Sequence, residues 1–189
     1  MLTVIKMKKE IKKIVQIPEK VEMKMDGNKI IVKGPLGETS KIFNFKAVKW
    51  NLDKDKLVII NEKATKKEKK LINTMASHVS SMIEGVTNGF EYKLQICSTH
   101  FPITVKVDKE NGLFTLKNFL GENKDRSVKI EKNVDVKVDG DIVTVKSNNK
   151  ETAGQIAASI ESISRVSGKD RRVFQDGIWI IKKEKGRLR

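Results

Sequence analysis

The chain has 189 residues and a formal net charge of +15, from 39 Lys and Arg against 24 Asp and Glu, and a surface so charged is best tolerated opposite a polyanion: nucleic acid, an acidic membrane face or an acidic protein. Cys97 is the single cysteine, which excludes an intramolecular disulfide and a cysteine-based zinc site. No apolar run approaches a membrane span, and the Lys-rich stretch from Lys6 to Lys13 is not followed by a signal-peptide core, so a cytosolic, reducing setting is expected.

In the opening segment Val4, Ile5, Ile11, Ile14 and Val15 mix with lysines, and Pro18 breaks any helix. Val21, Met23 and Met25 alternate with Glu22 and Lys24, which predicts a strand with one buried face. Asp26-Gly27-Asn28 is hairpin chemistry, with Lys29-Ile30-Ile31-Val32-Lys33 as the return strand. Pro35, within Gly34-Pro35-Leu36-Gly37, ends it because proline has no amide proton for a ladder. Two more strands are predicted, at Lys41-Ile42-Phe43-Asn44-Phe45 and at Leu57-Val58-Ile59-Ile60. A helix follows. Thr65 and Glu68 form a capping box, Leu71, Ile72, Met75, Ala76, Val79, Met82 and Ile83 recur at helical spacing, and Gly85 is the expected stop. Lys63, Lys66, Lys67, Lys69 and Lys70 crowd its start, where the helix dipole disfavours cations; they form either a solvated face or the contact of an acidic partner.

Beyond Gly85 the period changes to two. Phe90-Glu91-Tyr92-Lys93-Leu94-Gln95-Ile96 and Ile103-Thr104-Val105-Lys106-Val107 are predicted strands, and Asn111-Gly112 turns the chain into Leu113-Phe114-Thr115-Leu116. Val128 and Ile130 alternate, as do Val134, Val136 and Val138, and Asp139-Gly140 leads into Ile142-Val143-Thr144-Val145. Asn148 as cap, with Glu151 behind it, opens a second helix striped by Ala153, Ile156, Ala157, Ile160 and Ile163; Gly168 follows its end.

The two halves share one order of features. Val32 to Gly37 answers Leu116 to Gly121 at an offset of 84, Leu57 to Ile60 answers Ile142 to Val145 at 85, and the caps Thr65 and Asn148 lie 83 apart. A recurrence of strands, turn, cap and stripe marks a duplicated unit. The expected fold is therefore α+β, with two duplicated domains over residues 1–85 and 86–189, each an antiparallel sheet packed with one main α-helix.

From Arg165 onward the composition departs from the repeat: nine Lys and Arg face Asp170, Asp176 and Glu184, a net of +6. Ile178-Trp179-Ile180-Ile181 sits inside this segment as an anchoring strand, with Arg171-Arg172 and Lys182-Lys183 on its flanks. Cations held on a fixed scaffold can contact phosphates without a large ordering cost. Catalytic chemistry is poorly supplied by comparison. His78 falls in the helix stripe as a packed or boundary residue, His100 is expected to make a local hydrogen bond, and Cys97 reads as a small strand residue. Gly34-Pro35-Leu36-Gly37 lacks the Gly-Lys-Ser/Thr of a P-loop. No enzyme, cofactor or metal site is expected. Aromatics at 5% argue against a single-strand reader, and neither helix carries a major-groove array of Arg and Asn, so backbone recognition of folded RNA fits best.

The joint between the halves carries a resemblance. His78-Val79-x-x-Met82-Ile83-x-Gly85-Val86-Thr87-x-Gly89-Phe90-x-Tyr92-Lys93 and His100-Phe101-Pro102-Ile103 resemble the L-six family of large ribosomal subunit proteins, called L-nine in eukaryotic naming, in its eukaryotic or archaeal branch. Ile31 to Gly37, Asn118-Phe119-Leu120-Gly121-Glu122 and Lys169-Asp170-x-Arg172-x-Phe174-x-Asp176-Gly177-Ile178 are similar to it too. The resemblance implies two duplicated domains, binding to large-subunit rRNA near the sarcin–ricin loop and stalk base, neighbouring ribosomal proteins as partners, and a cytoplasmic ribosome as location. Lys169, Arg171, Arg172, Lys182, Lys183, Lys185, Arg187 and Arg189 are then the expected rRNA contacts. A free-standing RNA-binding or ribosome assembly factor is the alternative reading.

Overall fold

The computed structural model describes residues 9–44, 48–53 and 55–183. The chain divides into two units, Met1–Asn88 and Gly89–Arg189. In the first, β1 (Lys9–Gln16) is a strand that the residue pattern does not predict; its apolar residues Ile11, Ile14 and Val15 fall at spacings of three and one, which hides a period of two. β2 (Glu22–Asp26), β3 (Lys29–Gly34) and β4 (Gly37–Ile42) form an antiparallel meander, with Gly34 opposite Gly37 around Pro35 and Leu36. β4 therefore starts four residues before the strand expected at Lys41 and ends at Ile42; Phe45 lies outside the described residues. The polar run Glu38-Thr39-Ser40 hid it. Its place is set by the tight turn, because a chain reversing in two residues must pair at once.

β5 (Lys49–Asp53), also unexpected, and β6 (Lys56–Ala64) complete a second sheet in the order β1-β6-β5. α1 (Lys66–Thr87) opens on the expected capping box at Thr65 and Glu68. It does not stop at Gly85: Gly85 and Val86 are buried and Asn88 is the C-cap. The reason lies in packing. A Cβ on Gly34 would stand 2.7 Å from a Val86 methyl and 2.9 Å from the Val86 carbonyl oxygen, and the Leu36 amide donates to that same oxygen at 3.0 Å. The last turn of α1 is thus held by the β3–β4 turn. The core of the unit lies between α1 and both sheets, with Ile30, Leu57, Ile59, Ile72, Met75 and Val79 almost wholly buried.

The second unit repeats this plan. β7 (Phe90–Cys97) is followed by a meander of β8 (Thr104–Asp108), β9 (Leu113–Lys117) and β10 (Arg126–Lys129), then by β11 (Val134–Asp139) and β12 (Ile142–Ser147). α2 (Lys150–Ile163) is capped by Asn149, whose side chain accepts from the Glu151 amide at 3.0 Å. The cap is thus one residue later than the expected Asn148, and it lies 84 residues after Thr65, in line with the other repeat offsets. β12 pairs with β7 as β6 pairs with β1. The departure is β13 (Gly177–Lys182), which pairs with the outer edge of β7 to give the order β11-β12-β7-β13. Among the described residues the first unit has no counterpart to β13. The fold is α+β, each half an antiparallel β scaffold packed with one long helix.

Candidate nucleic-acid interface

β13 is fixed along both edges. One edge pairs with β7; on the other, the Ile178 amide donates to Ser164 Oγ at 2.8 Å and the Ile180 amide to Glu161 Oε1 at 3.2 Å. Ser164 caps α2 and is buried, so the strand is tied to the end of that helix. Gly177, at φ +155°, is required here: a Cβ would lie 3.3 Å from the Ser164 carbonyl oxygen and 3.4 Å from the Trp179 ring.

The basic loop before β13 is fastened by Asp176. This carboxylate is 1% exposed and accepts from the Thr99 amide at 2.5 Å, the His100 amide at 3.0 Å and His100 Nδ1 at 2.5 Å. Burial alone would raise its pKa. The His100 amide and ring and the Thr99 amide outweigh burial and hold it at about 2. His100 thus bonds across 76 residues, where a local partner was expected. Its ring stacks on Phe174 at 4.6 Å, and Lys169 Nζ stands 4.5 Å from the centre of the Phe174 ring. Asp170 turns the loop, accepting from the Arg172 amide at 2.9 Å through its side chain and from the Phe174 amide at 2.9 Å through its carbonyl. The Arg171 guanidinium lies 5.6 Å over Trp179. Arg172, 92% exposed in its side chain, reaches Asp170 at 3.4 Å.

The face of this sheet away from α2 collects the rest. Phe90, Tyr92, Leu94, Val134, Val136, Val143, Val145 and Ile178 fill the core, so the alternate residues point outward. Register then sets three rows across the sheet. Lys182, Lys93, Thr144 and Lys137 stand side by side on successive strands; Glu91, Lys146 and Asp135 flank them on one side, and Trp179, Gln95, Ile142 and Asp139 on the other. Strands about 4.8 Å apart place Lys182 and Lys137 within about 15 Å of each other. Glu91 draws Lys146 at 3.5 Å and Lys182 at 3.6 Å. Burial opposes its charge, but Lys146, Lys93 and Lys182 together keep its pKa below the ordinary carboxylate value. One carboxylate therefore gathers three ammonium groups that would otherwise spread apart.

Of the residues expected from sequence, Arg171 and Lys182 join this face, Lys169 and Arg172 stay on the loop, and Lys183 is exposed just past β13. Lys185, Arg187 and Arg189 lie outside the described residues. Lys93, Lys137 and Lys146 were missed. They are scattered over three strands, and their row exists only through register. The available signal was the polar phase of each alternating run.

Four lysines and Arg171 against Glu91, Asp135 and Asp139, with Lys137 3.5 Å from Asp135, leave this hydrogen-bonded face net positive, so it can hold closely spaced phosphates. A family model described as Ribosomal protein L6 matches residues 17–89 and 101–177, one stretch in each unit. A large ribosomal subunit protein uL6 of Methanobrevibacter smithii is 42% identical over 174 residues, covering 92% of this chain and 97% of the relative. The proteins of that name from Desulfurococcus amylolyticus and Methanosarcina mazei are 44% and 39% identical, over 89% and 94% of this chain and 92% and 99% of their own lengths. Each half matched by one family, and relatives spanning nearly the whole sequence, lead to one conclusion: the chain belongs to the ribosomal protein L6 family.

Proposed function

We propose that the chain is a structural, non-catalytic constituent of the large ribosomal subunit of the cytoplasmic ribosome, binding large-subunit rRNA through the basic residues of its second unit. Family membership and the names of its relatives support the ribosomal role. The single observation that carries the rRNA site is the lysine row of Lys182, Lys93 and Lys137, with Arg171 beside it on Trp179. The sarcin–ricin and stalk-base region, with its neighbouring ribosomal proteins, is the location this reading adopts.

The mechanism is positional. Lysines on a hydrogen-bonded sheet lose little freedom when a phosphate arrives, and each neutralised phosphate releases condensed counterions. Glu91 limits self-repulsion in the free protein. Arg171, stacked on Trp179, keeps its donors free for a bidentate phosphate contact. Lys169, Arg172 and Lys183 extend the cationic field from the loop and the strand end.

The test is the salt dependence of binding to a large-subunit rRNA fragment. Replacing Lys93, Lys137 and Lys182 together by Gln should lower the slope of log K against log salt by about 2 to 3, at about 0.9 for each phosphate no longer neutralised. An unchanged slope would remove this face from the binding site.

A further inference from the structure

The start of α1 carries charge that the fold does not need. Lys66, Lys67, Lys69 and Lys70 are all exposed at the positive end of the helix dipole, and Lys66 and Lys70 form a like-charge pair one turn apart. Glu68, the one acid among them, accepts from the Thr65 amide at 2.8 Å and from the Thr65 hydroxyl, so it serves the cap. No ion pair involves these four lysines among the described residues. The duplicate helix gives the control: α2 has Lys150 at its start and no further Lys or Arg to Ile163. An equivalent helix therefore packs on an equivalent sheet without the cations, and among the described residues only the attraction between Lys67 and Glu68 offsets their electrostatic cost.

The same stripe continues with Asn73, Ser77 and Ser80, exposed and small. Lys13 of β1 reaches Asn73 Oδ1 at 3.0 Å and adds a cation beside it. No carboxylate follows on the helix until Glu84, and none of the exposed large apolar side chains lies on α1. The face also holds none of the Trp, Tyr and Arg in which protein–protein hot spots are enriched. Ammonium, hydroxyl and amide groups on a helix face without exposed large apolar side chains suit a phosphodiester backbone.

We propose that the exposed face of α1, from Lys66 to Ser80 with Lys13 at its side, is a second RNA-backbone-binding surface, so that each unit contacts RNA through its own site. It binds folded RNA by charge and hydrogen bonding to phosphates, without base readout. Two sites on one chain raise the effective concentration of each at its own RNA segment.

The test uses the full chain and large-subunit rRNA as probe, with Lys66→Gln, Lys69→Gln and Lys70→Gln combined. The expected result is a salt slope lower by about 2 to 3, with a melting temperature equal to or above that of the unaltered protein, since unfavourable helix-dipole charges are gone. The variant at Lys93, Lys137 and Lys182 is measured beside it. A fall in either slope is attributable to its own unit, so one site can fail while the other stands. A wild-type slope in the α1 variant overturns the proposal, whether the face is then solvated or serves an acidic protein.

Discussion

The two halves of this chain are one design used twice, and they differ most at a single sheet edge. Among the described residues β1 is the edge strand of its sheet in the first unit, and its core-facing Ile11 and Val15 are only partly buried. In the second, the corresponding edge of β7 is covered by β13, whose Ile178 is fully buried. The covering strand also brings in a loop fastened by Asp176 and a Trp179 shelf for Arg171. Duplication supplied a stable frame; the added strand brings Lys182 and the Trp179 shelf to a face whose other lysines stand on the repeated strands.

The contrast can be broken from its most costly point downward. Ile178→Ala leaves a cavity between β13 and α2 and should destabilise by about 2–5 kcal/mol, while Val15→Ala on the core-facing side of β1, only partly buried, should cost about 1 kcal/mol; chemical denaturation measures both. Equal losses would mean the two edges are not as different as their burial says. Asp176→Asn comes next, at about 1–3 kcal/mol, because a charged acceptor of three hydrogen bonds becomes neutral. Its pH dependence has a definite sign. The folded-state pKa of about 2 lies below the ordinary 3.8, so the increment is complete above the ordinary value and disappears as pH falls toward 2. The stability gap between wild type and Asp176→Asn should therefore narrow over that window; a constant gap would assign the effect to packing alone.

Arg126→Ala tests a smaller difference between the copies. Arg126 donates to the Ile163 carbonyl at 2.5 Å at the end of α2, forms a bidentate pair with Glu122 at 2.8 and 2.6 Å, and lies 4.5 Å over Phe119. In the first unit, the matching turn meets the end of α1 through Gly34, Leu36 and backbone contacts. Loss of Arg126 should cost about 1–2 kcal/mol in thermal or denaturant unfolding. Arg171→Ala with Arg172→Ala should leave stability within about 0.5 kcal/mol. Its effect is on RNA: a salt slope lower by about 2.

Much of this was legible in the residues. The capping box at Thr65, the stripes of both helices and the recurring offsets near 84 define the repeat, because each depends on short-range spacing. β1 and β4 were not legible as they stand. β1 hides its period behind lysines, and the position of β4 follows from a turn pairing Gly34 with Gly37. The helix passing Gly85 depends on Val86 meeting Gly34, fifty-two residues away. The site divides in the same manner. Arg171 and Lys182 stand in a visibly basic segment, whereas Lys93, Lys137 and Lys146 look like ordinary solvated strand positions until register sets them side by side. Asp176 read as a counter-charge, and only its burial shows it as the fastening of the loop.

The most direct measurement is a map of a large ribosomal subunit carrying this chain. The account predicts rRNA phosphates within hydrogen-bonding reach of Lys93, Lys137, Lys182 and Arg171, on the sheet face that turns away from α2. That face open to solvent, or covered by protein while rRNA lies elsewhere, would contradict it.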